Sequence, residues 1–171
     1  MAISYSSLAA SVPNWQLLQT ATPSGVSTIT FSGLAGYSRY RILAPNLIPS
    51  GDDTLGLRIN ADSSTKYNYG YLGLLAGVFG GDSGNTSRFA TFYTDCAGVS
   101  GVSSRQFDTE NALLLIPKFI TSTSTSFNAG GNRNVVNGFG SYITTSAITS
   151  ITLLYFSNNF STGTIYLLGA N

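Results

Sequence analysis

The stretch Ile148-Thr149-Ser150-Ile151-Thr152-Leu153-Leu154-Tyr155-Phe156, followed after a Ser/Asn-rich turn by Thr164-Ile165-Tyr166-Leu167-Leu168, decides the fold class. In an extended chain Ile151, Leu153 and Tyr155 face one way and Thr152, Leu154 and Phe156 the other. Apolar residues on both faces predict central, well-covered strands, with Ser157 to Thr162 as their connection. Upstream, Leu55, Leu57 and Ile59 alternate with Gly56, Arg58 and Asn60, a clean inward/outward pattern. Val26 to Ser32 does the same, leaving Ile29 and Phe31 for a core and Thr28 and Thr30 for a half-solvated face. Pro23 to Gly25 predicts a turn before it, and Gln16 to Thr22 the preceding strand of a hairpin. Tyr40 to Leu47 is expected to form the next strand, ending near Pro49.

Tyr67, Tyr69 and Tyr71 recur at every second residue, which puts three phenols on one face of a strand. Gly-rich Gly77 to Ser87 reads as a loop, and so do Gly98 to Arg105 and Ala129 to Gly138, with β character resuming at Phe89 to Tyr93. Ala112 to Ile116 is a continuous apolar run closed by Pro117, the signature of a short strand buried on both faces. Phe119 to Phe127 alternates Ser with Thr and is expected to be an exposed or edge strand. Helix formers are scarce, with one Glu, two Lys and one Met in 171 residues. Eight to ten strands without an intervening helical pattern predict an all-β protein, an antiparallel two-sheet jelly-roll-like sandwich. No linker and no 20–50-residue repeat interrupts it. The expected organisation is an N-terminal arm at residues 1–13, extended or a short helix, and a single sandwich domain at 14–171, with Trp15 packing at its entry.

Composition narrows function mainly by exclusion. Charged residues make up 9% of the chain against about 25% in a typical soluble domain, and the net charge is +1. No Lys/Arg tract suits nucleic acid. No apolar window approaches the ~18 residues of a membrane helix, and Met1 to Ser11 lacks the charge and apolar continuity of a signal peptide. Histidine is absent, which removes the commonest general base and metal ligand. The single cysteine, Cys96, has no partner for a disulfide or a Cys-rich zinc site.

Several motifs invite a chemical reading and lose to a simpler one. Gly81-Asp82-Ser83-Gly84 matches the nucleophile tetrad of trypsin-like proteases, whose serine needs a histidine base. Ser63 stands three residues before Lys66, as in Ser-Lys hydrolases, but within an Asp62-Ser63-Ser64-Thr65 turn. Asp52-Asp53, Asp62, Asp82, Asp95, Asp108 and Glu110 are all the acids available for a glycosidase pair or a calcium site, and adjacent Asp52-Asp53 suits a turn better. Asn85-Thr86-Ser87 and Asn159-Phe160-Ser161 are formal glycosylation sequons without a secretory signal. Catalytic, cofactor-binding and metal-binding residues are therefore expected to be absent. Tyr67, Tyr69, Tyr71 and Phe79, with Trp15, remain as ligand or interface candidates, against the competing role of core packing.

The chain resembles small β-sandwich structural proteins of tailed bacteriophages, the capsid cement or decoration subunits and fibre tips. The resemblance rests on Trp15-Gln16-Leu17-Leu18-Gln19-Thr20, Ile29-Thr30-Phe31-Ser32-Gly33-Leu34, Tyr37-Ser38-Arg39-Tyr40-Arg41-Ile42, Asn46-Leu47-Ile48-Pro49-Ser50, Leu57-Arg58, Ile151 to Phe156, and Ser161 to Gly169. The middle, Gly77 to Asn137, takes no part in it. It implies a non-enzymatic, homo-oligomeric virion protein, assembled in the host cytoplasm. Its first role would be cement, with the major capsid protein as partner, docked by Met1 to Pro13 and paired along Phe119 to Phe127. The alternative role is a tail-fibre or tail-tip adhesin that holds host surface glycans.

Overall fold

In a computed structural model the residues described are 13–75, 77–90, 103–127 and 131–171. Fourteen strands run through them: β1 (Gln16–Ala21), β2 (Thr28–Ser32), β3 (Arg39–Pro45), β4 (Ile48–Pro49), β5 (Leu55–Ile59), β6 (Tyr67–Leu75), β7 (Val78–Thr86), β8 (Phe89–Ala90), β9 (Ser104–Glu110), β10 (Lys118–Phe127), β11 (Arg133–Tyr142), β12 (Ser150–Tyr155), β13 (Phe160–Thr162) and β14 (Ile165–Ala170). They form an eight-stranded sheet, β1-β14-β3-β9-β10-β11-β6-β7, a four-stranded sheet, β2-β12-β5-β8, and a β4-β13 ribbon. Every pairing is antiparallel.

The order has a simple origin. With the β6-β7 and β10-β11 hairpins and the small ribbon set aside, eight strands remain, and they pair first with last, second with seventh, third with sixth and fourth with fifth. That is a long hairpin rolled into two sheets, the jelly-roll arrangement. Both extra hairpins extend the same sheet, on the β9 side, so the large sheet runs four strands past its jelly-roll half.

Alternation builds the core between the sheets. Leu55, Leu57 and Ile59 of β5, and Ile151, Leu153 and Tyr155 of β12, pack against Tyr40 and Ile42 of β3, Phe107 of β9 and Ile165 and Leu167 of β14. Phe89 of β8 reaches across onto β11, where a Cβ on Gly140 would lie 2.7 Å from its ring, so that position stays glycine. Asn60, left-handed at φ 55°, ends β5 and staples it to the chain before β12. Its Oδ1 accepts from Thr149 N (2.8 Å) and Ser150 N (3.2 Å), and its Nδ2 donates to Ala147 O (2.8 Å).

Several sequence expectations are corrected. β1 and β2 are not a hairpin: they lie in different sheets, β1 against β14 and β2 against β12, because Gly25 turns the chain across the sandwich. Phe119–Phe127 is no edge, since β10 sits between β9 and β11. Its small Ser122, Ser124 and Ser126 are buried and its threonines face out. Gly77 to Ser87 is mostly β7, an edge strand of the large sheet, and Arg133 to Gly138 belongs to β11. Leu113 to Ile116, expected in a buried strand, lies exposed in the β9-β10 loop. Asn111 at φ 61° starts that loop, and the Lys118 ammonium, wholly buried, donates to the carbonyls of Leu114 and Ile116. Residues 1–12, with most of the expected arm, and Cys96 lie outside the described residues.

Candidate interaction surfaces

The antiparallel register lays the outward side chains of the large sheet in rows. One row runs Leu17, Leu168, Arg41, Asp108, Thr121, Phe139, Gly70, Ser83; the next two carry Leu43, Gln106, Thr123, Asn137, Leu72 and, at the far end, Thr125, Val135, Leu74, Phe79. Chemistry separates along the rows. Over β6, β7 and β11 the face holds an apolar cluster among small polar residues, with Leu72, Leu74, Val135 and Phe139 about half exposed and Phe79 74% exposed. Over β3 and β9 it is charged. An exposed apolar cluster of this kind is unusual on a monomer and makes this end of the face a candidate contact surface.

Phe139 shows how the sequence shapes the apolar end. Its ring covers Gly70, its cross-strand partner, where an added Cβ would come within 2.8 Å of it. The glycine lets the aromatic lie flat on the sheet instead of standing into solvent.

At the charged end Arg41 Nε donates to Asp108 Oδ1 at 2.6 Å, and Gln106 Nε2 donates to Asp108 Oδ2 at 2.6 Å. The Arg41 guanidinium lies 4.3 Å from the centre of the Trp15 ring, and Arg39 faces Glu110 at 3.9 Å. Pro13, Trp15, Arg39, Arg41, Glu110 and Thr121 line a shallow trough of about 220 Å³. Beside it Gln106, Asp108, Thr121, Thr123 and Asn137 line a second trough of about 360 Å³. Planar polar side chains beside an aromatic ring are groups that hold a sugar ring.

The tyrosine candidates face the other side of the same sheet. Tyr67 is 0% exposed, stacked on Tyr142 with ring centres 4.5 Å apart, and its hydroxyl accepts from Ile59 N at 2.9 Å. Burial raises its pKa far above the ordinary phenol value. Tyr69 is half-buried against the core, and its hydroxyl donates to Asp82 at 3.4 Å; Tyr71 stacks on Tyr69. The three phenols share a face, as their spacing predicts, but that face looks into the sandwich. Of the five candidates only Phe79 and Trp15 lie on the outer surface, at its opposite ends.

The carboxylates are occupied by structure. Asp53, buried, takes Thr54 N on one oxygen and Ser157 N and Asn158 N on the other, at 2.6–2.7 Å. Asp62 accepts from Ser64 N at 2.8 Å, Tyr142 Oη at 2.6 Å and Lys66 Nζ at 3.3 Å. Hydrogen bonds from Ser64 and Tyr142 hold the Asp62 carboxyl well below the usual range, while burial and this carboxylate push the Tyr142 phenol up to about 12. Ser83 lies outward on β7, one residue from Asp82, whose Oδ1 accepts the Ser83 amide at 2.7 Å. Among the described residues no three acids or Cys gather as a metal site.

Sequence reasoning missed Arg41, Asp108, Phe139 and Leu72. Each alternates with an inward neighbour, so the period-2 signal was present for Arg41 between Tyr40 and Ile42. For Phe139 it was hidden, because its neighbours Gly138 and Gly140 have no side chain to point inward. No family model, curated protein or solved structure matches this chain.

Proposed function

We propose that the chain is a non-enzymatic virion structural protein of a tailed bacteriophage, a capsid cement or decoration subunit that binds shell protein through the outer face of its large sheet. The observation that carries the reading is the apolar end of that face, Leu72, Leu74, Phe79, Val135 and Phe139. With large aromatics covering ~150–250 Å² each, a patch of this kind offers on the order of 600 Å², near the ~800 Å² that each partner contributes to a standard interface. The rim of Thr, Asn and Gly carries little charge to desolvate, which keeps repeated contacts inexpensive in free energy. The commitment of Asp53, Asp62 and Asp108 to structural bonds accords with a role without chemistry.

The test is location and effect together. Purified chain added to shells that lack it is expected to decorate them in a cryo-EM map and to raise their rupture temperature. Finding it at the tail alone, or on shells whose rupture temperature does not move, overturns the proposal.

The Trp15 troughs favour a second reading, an adhesin that holds host surface glycans. There Trp15→Ala is expected to abolish binding to host polysaccharide while the melting curve stays unchanged. Equal binding by the variant removes that reading.

A further inference from the structure

The four-stranded sheet has its own outward face, and two arginines meet there. Gly56 pairs with Ala90 and Leu57 with Phe89, and Arg88, in the bend just before β8, comes near enough to Arg58 on β5 for the two charges to repel. Like charges held close on one face repel and destabilise it. Neither guanidinium has a carboxylate partner among the described residues, where Arg39, Arg41 and Lys66 carry the ion pairs. Asp53, the nearby acid, has both oxygens filled by backbone N–H groups.

The pair is held in place. Arg58 Nε donates to Ser87 O at 3.2 Å. The Arg88 guanidinium lies 3.4 Å from the centre of the Phe156 ring, and its Nε is buried with no acceptor. Gly56 makes the room: a Cβ there would sit 3.0 Å from Phe156 and 3.2 Å from the Arg88 stem. Burial and the nearby Arg58 weaken the hold of Arg88 on its proton, and the Asp53 carboxylate offsets part of this. Two pre-positioned guanidinium forks, mutually repelling and short of acceptors, offer what a planar or tetrahedral oxyanion satisfies.

We propose that Arg58 and Arg88, with Arg88 stacked on Phe156, form an oxyanion-binding site that takes a carboxylate or phosphate group carried by a partner. The site lies on the opposite outer face from the contact assigned above, and stands or falls apart from it. Binding neutralises the repulsion, so the anion stabilises the folded chain.

The experiment follows the arginine Nε–H signals by NMR while sodium phosphate, or separately sodium acetate, replaces sodium chloride at constant ionic strength. The Arg58 and Arg88 signals are expected to move along a saturating curve with at least one of the two anions, and those of Arg39 and Arg133 to stay still. The anion that saturates at lower concentration identifies the group recognised. Arg88→Gln is expected to weaken the response at Arg58 ~tenfold or more. Movement that never saturates, or that all arginines share, overturns the site. Arg58→Gln gives an independent readout. Without phosphate and at low salt it is expected to melt above the parent, and phosphate no longer raises its Tm as it does the parent's; an equal rise in both refutes the proposal.

Discussion

Replacing Phe79 by Ser tests the outer-face contact with least risk to the fold. The ring is 74% exposed at the start of the edge strand β7, beside Leu74. For an aromatic of ~200 Å² that leaves about 150 Å² to be covered by a partner, and at ~25 cal/mol per Å² the gross gain is about 4 kcal/mol. Association and side-chain ordering consume a share, so about 2 kcal/mol is expected to survive as affinity. This corresponds to an intrinsic loss of about 30-fold per site, larger if several copies attach together. Stability should hardly change, since a mostly solvated side chain contributes within ~0.5 kcal/mol. The assay titrates cement-free shells with labelled chain and follows the bound fraction, alongside urea melts of both proteins. Unchanged shell affinity refutes the assignment of the face. A midpoint shift equivalent to more than ~1 kcal/mol refutes the premise that the ring serves only a partner.

Asp53→Ala strips three buried backbone N–H groups of a charged acceptor and unties the start of β5 from the turn after β12, so a loss of about 3–5 kcal/mol is expected in urea unfolding. The folded-state pKa of Asp62 lies below its unfolded value, so its stabilisation is whole above the unfolded pKa near 4 and is lost as pH falls further; Asp62→Asn should lower Tm at pH 7 and flatten its decline between pH 5 and 2. Lys118→Met frees the carbonyls of Leu114 and Ile116, and limited proteolysis should then cut within Leu113–Pro117 several-fold faster than in the parent. Gly140→Ala drives a methyl into the Asn68 carbonyl of β6 and the Phe89 ring and is expected to cost ~3 kcal/mol or more by overpacking against backbone.

The part of the fold visible in the sequence is the part whose inward residues are apolar. β5 announces itself because Leu and Ile alternate with Gly and Arg, and β12 and β14 because short apolar runs covering both faces suit central strands. Of the hairpins β6-β7 and β10-β11, only β6 carries such a signal, in Tyr67, Tyr69 and Tyr71. Elsewhere in them large inward residues such as Ile120, Val136 and Tyr142 are interspersed with Ser122, Ser124, Gly138 and Gly140, small or polar groups that composition assigns to loops and edges. Ala112 to Ile116 failed in the opposite sense. A five-residue apolar run has the same periodicity in a buried strand and in an exposed loop, and a buried ammonium four residues past Leu114 settles its place through backbone carbonyls. For the candidate site, spacing put the tyrosines on one face correctly but could not say which side of the sheet that face would meet. The troughs needed register, since Trp15, Arg41 and Asp108 are up to 93 positions apart.

The unequal sheets explain why this chain has surfaces to offer at all. A jelly roll of four strands against four covers each sheet with the other. Here two hairpins lengthen only the large sheet, and the small sheet still ends at the two-residue β8. Phe89 of β8 covers the glycines of β11 and Tyr67 of β6 still joins the core, so it is residues 70–75 of β6 and their β7 partners that continue beyond the apolar contact that built the rest of the core. Their outward face then carries Leu72, Leu74 and Phe79, exposed apolar side chains on strands whose inner face there lacks a full apolar lining to hold them. Strands in that position gain stability from a partner that covers the outer face, and the partner gains a flat, uncharged, pre-ordered platform. If this coupling operates, hydrogen exchange of the β6 and β7 amides should be the fastest of the large sheet in the free chain and slow most on shell binding. Protection of β7 in the free chain equal to that of β3 and β14 would mean that the extension is already stable by itself, and the outer apolar face would lose its physical reason to seek cover.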